Sequence, residues 1–120
     1  MFNKTKLMLG VVSASIVSIN IAAADYKCPY ESDYFSEGDP ISTSITFKVY
    51  GENDETQYKI YWLDYQGNRV FYKHLFAGDT YRQQTALTHP WVVTAPIPGG
   101  GEDCIDIYYA HAGGRTITLD

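Results

Sequence analysis

Residues able to do chemistry are present in this chain, but most stand in arrangements that do not support it. Ser, His and Asp all occur, yet no serine lies in a motif such as G-x-S-x-G, where a sharp turn offers the hydroxyl to a base. The 3 histidines, His74, His89 and His111, lack metal-ligand spacing. Gly99-Gly100-Gly101 is not followed by the Lys and helix that a phosphate cradle requires. Glu102 and Asp103 are neighbours and would point apart on an extended chain, so they make no acid–base pair. The ordinary reading of each carboxylate is a solvated surface. No catalytic residue, metal or cofactor is implied, and an enzyme is the weaker class of function.

The 2 cysteines, Cys28 and Cys104, depend for their meaning on compartment. Lys4 and Lys6 form a positive start, Leu7 to Ile21 is mostly apolar, and Ala22-Ala23-Ala24 offers small residues for a cleavage site. Residues 1–24 therefore read as a signal peptide, short for a membrane span; the alternative, an uncleaved single-pass anchor, is disfavoured because Ser13, Ser15, Ser18 and Asn20 dilute the run. The expected location is secreted or periplasmic. Removing 24 of the 120 residues leaves 96, enough for one modest core. Lys4 and Lys6 go with the leader, so 9 basic residues become 7 against 14 acidic ones, a balance of −7. Such a domain is a poor match for nucleic acid, and no membrane contact is expected after cleavage. An even cysteine count in an exported chain predicts a disulfide between Cys28 and Cys104. Closing so long a loop would contribute about 4 kcal/mol. Without a C-x-x-C pair, zinc is a poor alternative.

The elements that would position any site are strands. Beyond Asp25 no long run has helical period, and the 11 tyrosines suit pleated surfaces. Residues 25–40 are acidic and irregular and are expected to wrap the domain, anchored by Cys28. Residues 41–120 read as an all-β domain of about seven short strands, the expectation for an antiparallel β-sandwich. The strands are Ile41 to Tyr50, Gln57 to Tyr65, Arg69 to Leu75, Thr80 to Leu87, Trp91 to Thr94, Cys104 to Tyr109 and Arg115 to Leu119. Ile45, Phe47 and Val49 alternate inward. On the second strand, Tyr61, Leu63 and Tyr65 are assigned to the core and Tyr58, Ile60, Trp62 and Asp64 to the opposite face. Leu63, Leu75, Leu87, Val92, Ile105 and Ile107 are expected in the core.

The stretch Tyr61-Trp62-Leu63-Asp64-Tyr65-Gln66-Gly67-Asn68-Arg69-Val70, with His89-Pro90-Trp91-Val92-Val93, resembles the β domain of the von Hippel-Lindau protein. The likeness runs from Ile45 to Tyr109. Its most specific part is an ungapped spacing: Trp62, Tyr72, Thr85, His89, Trp91. The resemblance implies a prealbumin-like sandwich, and it implies that these five residues line a pocket for a hydroxylated proline in an extended peptide. Trp62, Tyr72 and Trp91 would enclose the apolar ring. Thr85 and a neutral His89 would read its hydroxyl, and the Tyr72 hydroxyl would hold a peptide carbonyl. Unmodified proline would leave Thr85 and His89 buried without partners.

The sequence departs from the family at several points. Thr85 stands where the family has a serine, and Ala77 where its L-x-P-G turn has a proline. The hairpin before Trp62 is longer than in the human relative. The chain reaches Asp120 with no counterpart of the helical domain that joins a ubiquitin ligase, so a ligase-adaptor role is not implied. Each pocket residue alone also has a plainer reading: half-buried packing for the tryptophans, one tyrosine among many, an ordinary strand threonine, a turn histidine before Pro90. The function expected is an exported module for extended proline- or hydroxyproline-containing peptides. The alternatives are an envelope assembly domain that uses its sheet edge and aromatic face, or a carbohydrate-binding module.

Overall fold

The computed structural model describes residues 25–38, 41–53 and 55–120. The leader assigned to residues 1–24 lies outside the described residues. Among the described residues, seven strands follow one short 3-10 turn at Glu31–Asp33: β1 (Ser42–Val49), β2 (Gln57–Leu63), β3 (Arg69–Phe76), β4 (Thr80–Ala86), β5 (Trp91–Pro96), β6 (Glu102–Tyr108) and β7 (Arg115–Leu119). They form two sheets, one of three strands in the order β4-β1-β7 and one of four in the order β3-β2-β5-β6. The fold is all-β and sandwich-like. No helix among the described residues is long and apolar enough to cross a membrane.

The expectation of wholly antiparallel sheets fails at one pair. β1 and β7 run parallel, with Phe47 opposite Ile117. The reason is connectivity: β7 arrives from β6 in the other sheet, so no hairpin forces it to reverse against β1.

Alternation along β1 buries Thr43, Ile45, Phe47 and Val49 and leaves the residues between them wetter. Ile45 and Phe47 are fully buried and meet Ile60, Leu75, Trp91, Val93, Ile117 and Leu119 between the sheets. Each such large side chain contributes roughly 1.5–3 kcal/mol on leaving water. β5 is different, because Trp91, Val92, Val93 and Thr94 are all buried. It is a central strand with something packed on both faces, as four consecutive buried residues require.

Three sequence assignments are corrected here. The face of β2 toward the other sheet carries Tyr58 and Ile60, with Trp62 packed against that cluster. Leu63 is fully buried on the other face, with Val92 and Cys28. Tyr65, expected inside, is half exposed. The sequence pattern identified two apolar faces but could not say which faced the second sheet, because both are covered. Ile105 is exposed and Leu87 and Ile107 are only half-buried, whereas Leu63, Leu75 and Val92 are buried. Ile105 is lost to the core because β6 bulges: Val93 pairs with Asp106 and Thr94 with Cys104, leaving Ile105 unmatched.

What covers the outer face of the larger sheet is the irregular N-terminal segment. Cys28 and Cys104 are bridged, with their Cα atoms 5.1 Å apart. The disulfide is compatible with an extracellular or periplasmic location. Beside it, the Glu31 carboxylate accepts from Arg69 Nε at 2.9 Å and Nη2 at 2.7 Å, and from the Cys28 N–H at 2.8 Å. Burial works against the Glu31 charge, but the Arg69 guanidinium and the Cys28 amide outweigh it and hold the carboxyl below its ordinary range. The solvated-surface reading of every carboxylate is therefore wrong for Glu31.

Candidate functional site

Five residues from four strands and one loop surround a single open cleft of about 370 Å³: Trp62, Tyr72, Thr85, His89 and Trp91. Trp62 and Trp91 are register partners on the neighbouring strands β2 and β5. Thr85 comes from β4 in the other sheet. The cleft thus opens between the two sheets, where the edge strands β3 and β4 lie.

Tyr72 is aimed by a bulge. Lys73 pairs with Ile60 and Phe71 with Tyr61, so Tyr72 is the extra residue of β3. A bulge breaks the alternation of faces and re-aims a side chain. Phe71 goes to the outer face, where its ring meets Tyr61 at 5.7 Å. Tyr72 goes to the cleft, 4.8 Å from the Trp91 ring and 6.4 Å from that of Trp62, edge to face in both cases.

Trp91 is only 2% exposed, so it makes the floor of the cleft rather than a wall. Its indole Nε1 donates to Thr85 Oγ1 at 2.9 Å. That bond occupies one lone pair of the hydroxyl and leaves its proton free to donate. The His89 ring lies 5.6 Å from the Trp62 ring. The Trp62 Nε1 is buried with no hydrogen-bond partner among the described residues.

Tyr65 completes the constellation and was not foreseen. Its ring stands edge-on to Trp62 and to His89, 5.6 Å from each. Its hydroxyl lies 3.5 Å from His89 Nε2. The alternation along β2 put Tyr65 with Leu63 in the core, but the strand ends at Leu63 and a turn re-aims the residue. The turn signal Gln66-Gly67-Asn68 could have warned of this. Gly67 holds a φ of +82°, a conformation that disfavours a side chain. Gln84 and Ala86 of β4 finish the lining, and no residue around the cleft carries a permanent charge. The arrangement offers aromatic surface, a hydroxyl and an imidazole. It suits a compact, largely apolar group with one polar atom.

A second cavity of about 290 Å³ lies on the outer face of the larger sheet, around Lys59, His74, Thr94 and Glu102. Its polar groups are engaged with one another. Glu102 accepts from Lys59 Nζ at 2.8 Å, Tyr61 Oη at 2.6 Å and Thr94 Oγ1 at 2.8 Å, and His74 Nε2 is 3.0 Å from Gln57 Oε1. Burial raises the Tyr61 phenol, and donation to the Glu102 carboxylate raises it further. Glu102 itself loses by burial but gains more from Lys59, Tyr61 and Thr94, and sits below its ordinary range. These groups form a satisfied structural network. Among the described residues no group of three or more His, Cys, Asp or Glu could hold a metal ion.

Comparison with known proteins adds no relative: no family model matches the chain, and no curated protein matches it.

Proposed function

We propose that this protein is an exported recognition module that binds extended peptides through the cleft, taking a hydroxyproline ring over the Trp91 floor and beside Trp62 and Tyr72. The observation that carries the reading is the meeting of Trp62, Tyr72, Thr85, His89 and Trp91 around one uncharged opening. It is supported by the resemblance to the von Hippel-Lindau β domain, where the same spacing serves that ligand. It is also supported by the hydrogen bonding: with Thr85 Oγ1 accepting from Trp91, the hydroxyl proton is available to the ligand, and His89 supplies the complementary partner. On this reading the protein acts as a binding domain of the prealbumin-like sandwich type.

Titration calorimetry with matched peptides tests this. A hydroxyproline peptide is expected to bind at least about tenfold more tightly than its proline twin, because a site built to read a hydroxyl rejects the analogue without one. His89→Ala is expected to erase that preference while leaving the fold intact. Equal affinity for both peptides would remove hydroxyl reading. Binding to glycans with no peptide binding would replace the proposal by the carbohydrate reading.

A further inference from the structure

We propose that the N-terminal segment, residues 25–38, is a positioning clamp for the cleft, and that Ser36 is its positioning residue; this rests on the reading of the cleft as a ligand site. The starting point is where the walls of the cleft stand. Trp62, Tyr72, Thr85 and Trp91 are on strands, held by sheet hydrogen bonds. Tyr65 and His89 are not: Tyr65 sits in the turn after β2 and His89 in the connection between β4 and β5. Connections of this kind are the parts of a fold that open most easily. A ligand that needs an aromatic edge from one and an imidazole from the other requires both to be held in register.

Two consecutive residues of the segment hold them. Ser36 Oγ donates to the Leu63 carbonyl at 2.6 Å, and the Ser36 N–H donates to the Asp64 carbonyl at 3.0 Å. These are the two residues that lead into Tyr65. The next carbonyl along, that of Glu37, accepts from Thr88 Oγ1 at 2.8 Å, one residue before His89. The two connections are also tied directly, through Leu63 N–H to Pro90 carbonyl at 3.0 Å. The segment approaches so closely that a Cβ at Gly67 would stand 3.1 Å from the Tyr34 carbonyl. Ser36 is buried at 2% exposure, so its hydroxyl is committed to this contact and not to solvent.

The clamp has little regular structure of its own, the 3-10 turn at Glu31–Asp33 and a single bridge from Asp25 to Glu102. Its rigidity is borrowed from the sheets, at the Asp25–Glu102 backbone bridge, the Cys28–Cys104 disulfide and the Glu31–Arg69 pair. Ser36 and Glu37 are thereby held in place relative to β6 and β3. The consequence is a cleft whose loop-borne walls are set by a segment that does not touch the ligand.

Amide hydrogen exchange in the disulfide-bonded protein separates this from a general contribution to stability. Ser36→Ala is expected to speed exchange at Gly67 at least about tenfold, and the isosteric Thr88→Val to do the same at His89. Val49 and Tyr50, bonded to Asp79 and Leu119 away from the clamp, are expected to keep their protection. Affinity for the hydroxyproline peptide is expected to fall about tenfold in each variant, through faster dissociation. Faster exchange at Gly67 and His89 with no binding of that peptide by the parent protein would support the clamp and remove the ligand reading. Unchanged exchange at both positions, or equal acceleration at Val49 and Tyr50, would overturn the clamp.

Discussion

The inner and outer faces of the four-stranded sheet are both covered, but by different means. The inner face is buried against a second sheet, with Tyr58, Ile60, Trp91 and Val93 meeting Ile45, Phe47, Ile117 and Leu119. Non-directional apolar contact does the work there. The outer face is covered by a segment with almost no regular structure, over the small cluster of Leu63, Val92 and Cys28. That cluster is too small to hold the segment alone, so a disulfide and a buried ion pair supplement it. The inner face is expected to resist changes of pH, and the outer face to resist them less. The cleft draws on both, since its floor, Trp91, belongs to the inner core and two of its walls are tied to the outer segment.

This contrast can be broken at three points. The largest effect is expected at Phe47, which is fully buried between the sheets. Phe47→Ala should cost about 3–5 kcal/mol, read as a shift in the urea midpoint without a change in slope. A cost below about 1 kcal/mol would mean that the inner face is not the principal core.

Cys28→Ser combined with Cys104→Ser addresses the outer face. The bridged residues are 76 apart in sequence, and losing so long a cross-link should cost about 4 kcal/mol in the loop-entropy account. Protein that still folds should show local loss of protection around Leu63 while β1 and β7 keep theirs. Uniform loss across both sheets would make the two faces a single cooperative unit.

The smallest expected effect is acidic. The Glu31 and Glu102 carboxyls are both held below their ordinary range in the folded protein. Their contribution is complete above the unfolded value and is lost as pH falls through the folded one. Stability should therefore be flat near neutrality and decline below about pH 5. Glu31→Gln should cost about 1.5–3 kcal/mol at pH 7 and flatten part of that decline. An identical acid profile for this variant and its parent would exclude Glu31 from the outer face's stability.

Much of the fold was legible because strands announce themselves by local rules. The β1 alternation of Ile45, Phe47 and Val49 reads directly as one buried face. Turn residues separate all seven strands near their observed ends. The disulfide was legible for a different reason, since two cysteines leave only one intramolecular pairing. The spacing of Trp62, Tyr72, Thr85, His89 and Trp91 was visible through a resemblance, while the bulge that turns Tyr72 to the cleft was not. A bulge depends on which residues the partner strand offers, and that is long-range information.

The sequence alone therefore determined the class of fold, the positions of the strands and the cysteine pair, because each follows from neighbours along the chain or from counting. Only the tertiary structure decided which face of β2 meets the second sheet, that Ile105 bulges out of the core, and that Glu31 is buried on Arg69. It also brought Tyr65 and His89 to one opening and laid Ser36 and Glu37 across the loops that carry them. These contacts join residues 24 to 51 positions apart in the chain. A local pattern contains no term for such distances, and the packing of one covered face against another supplies it.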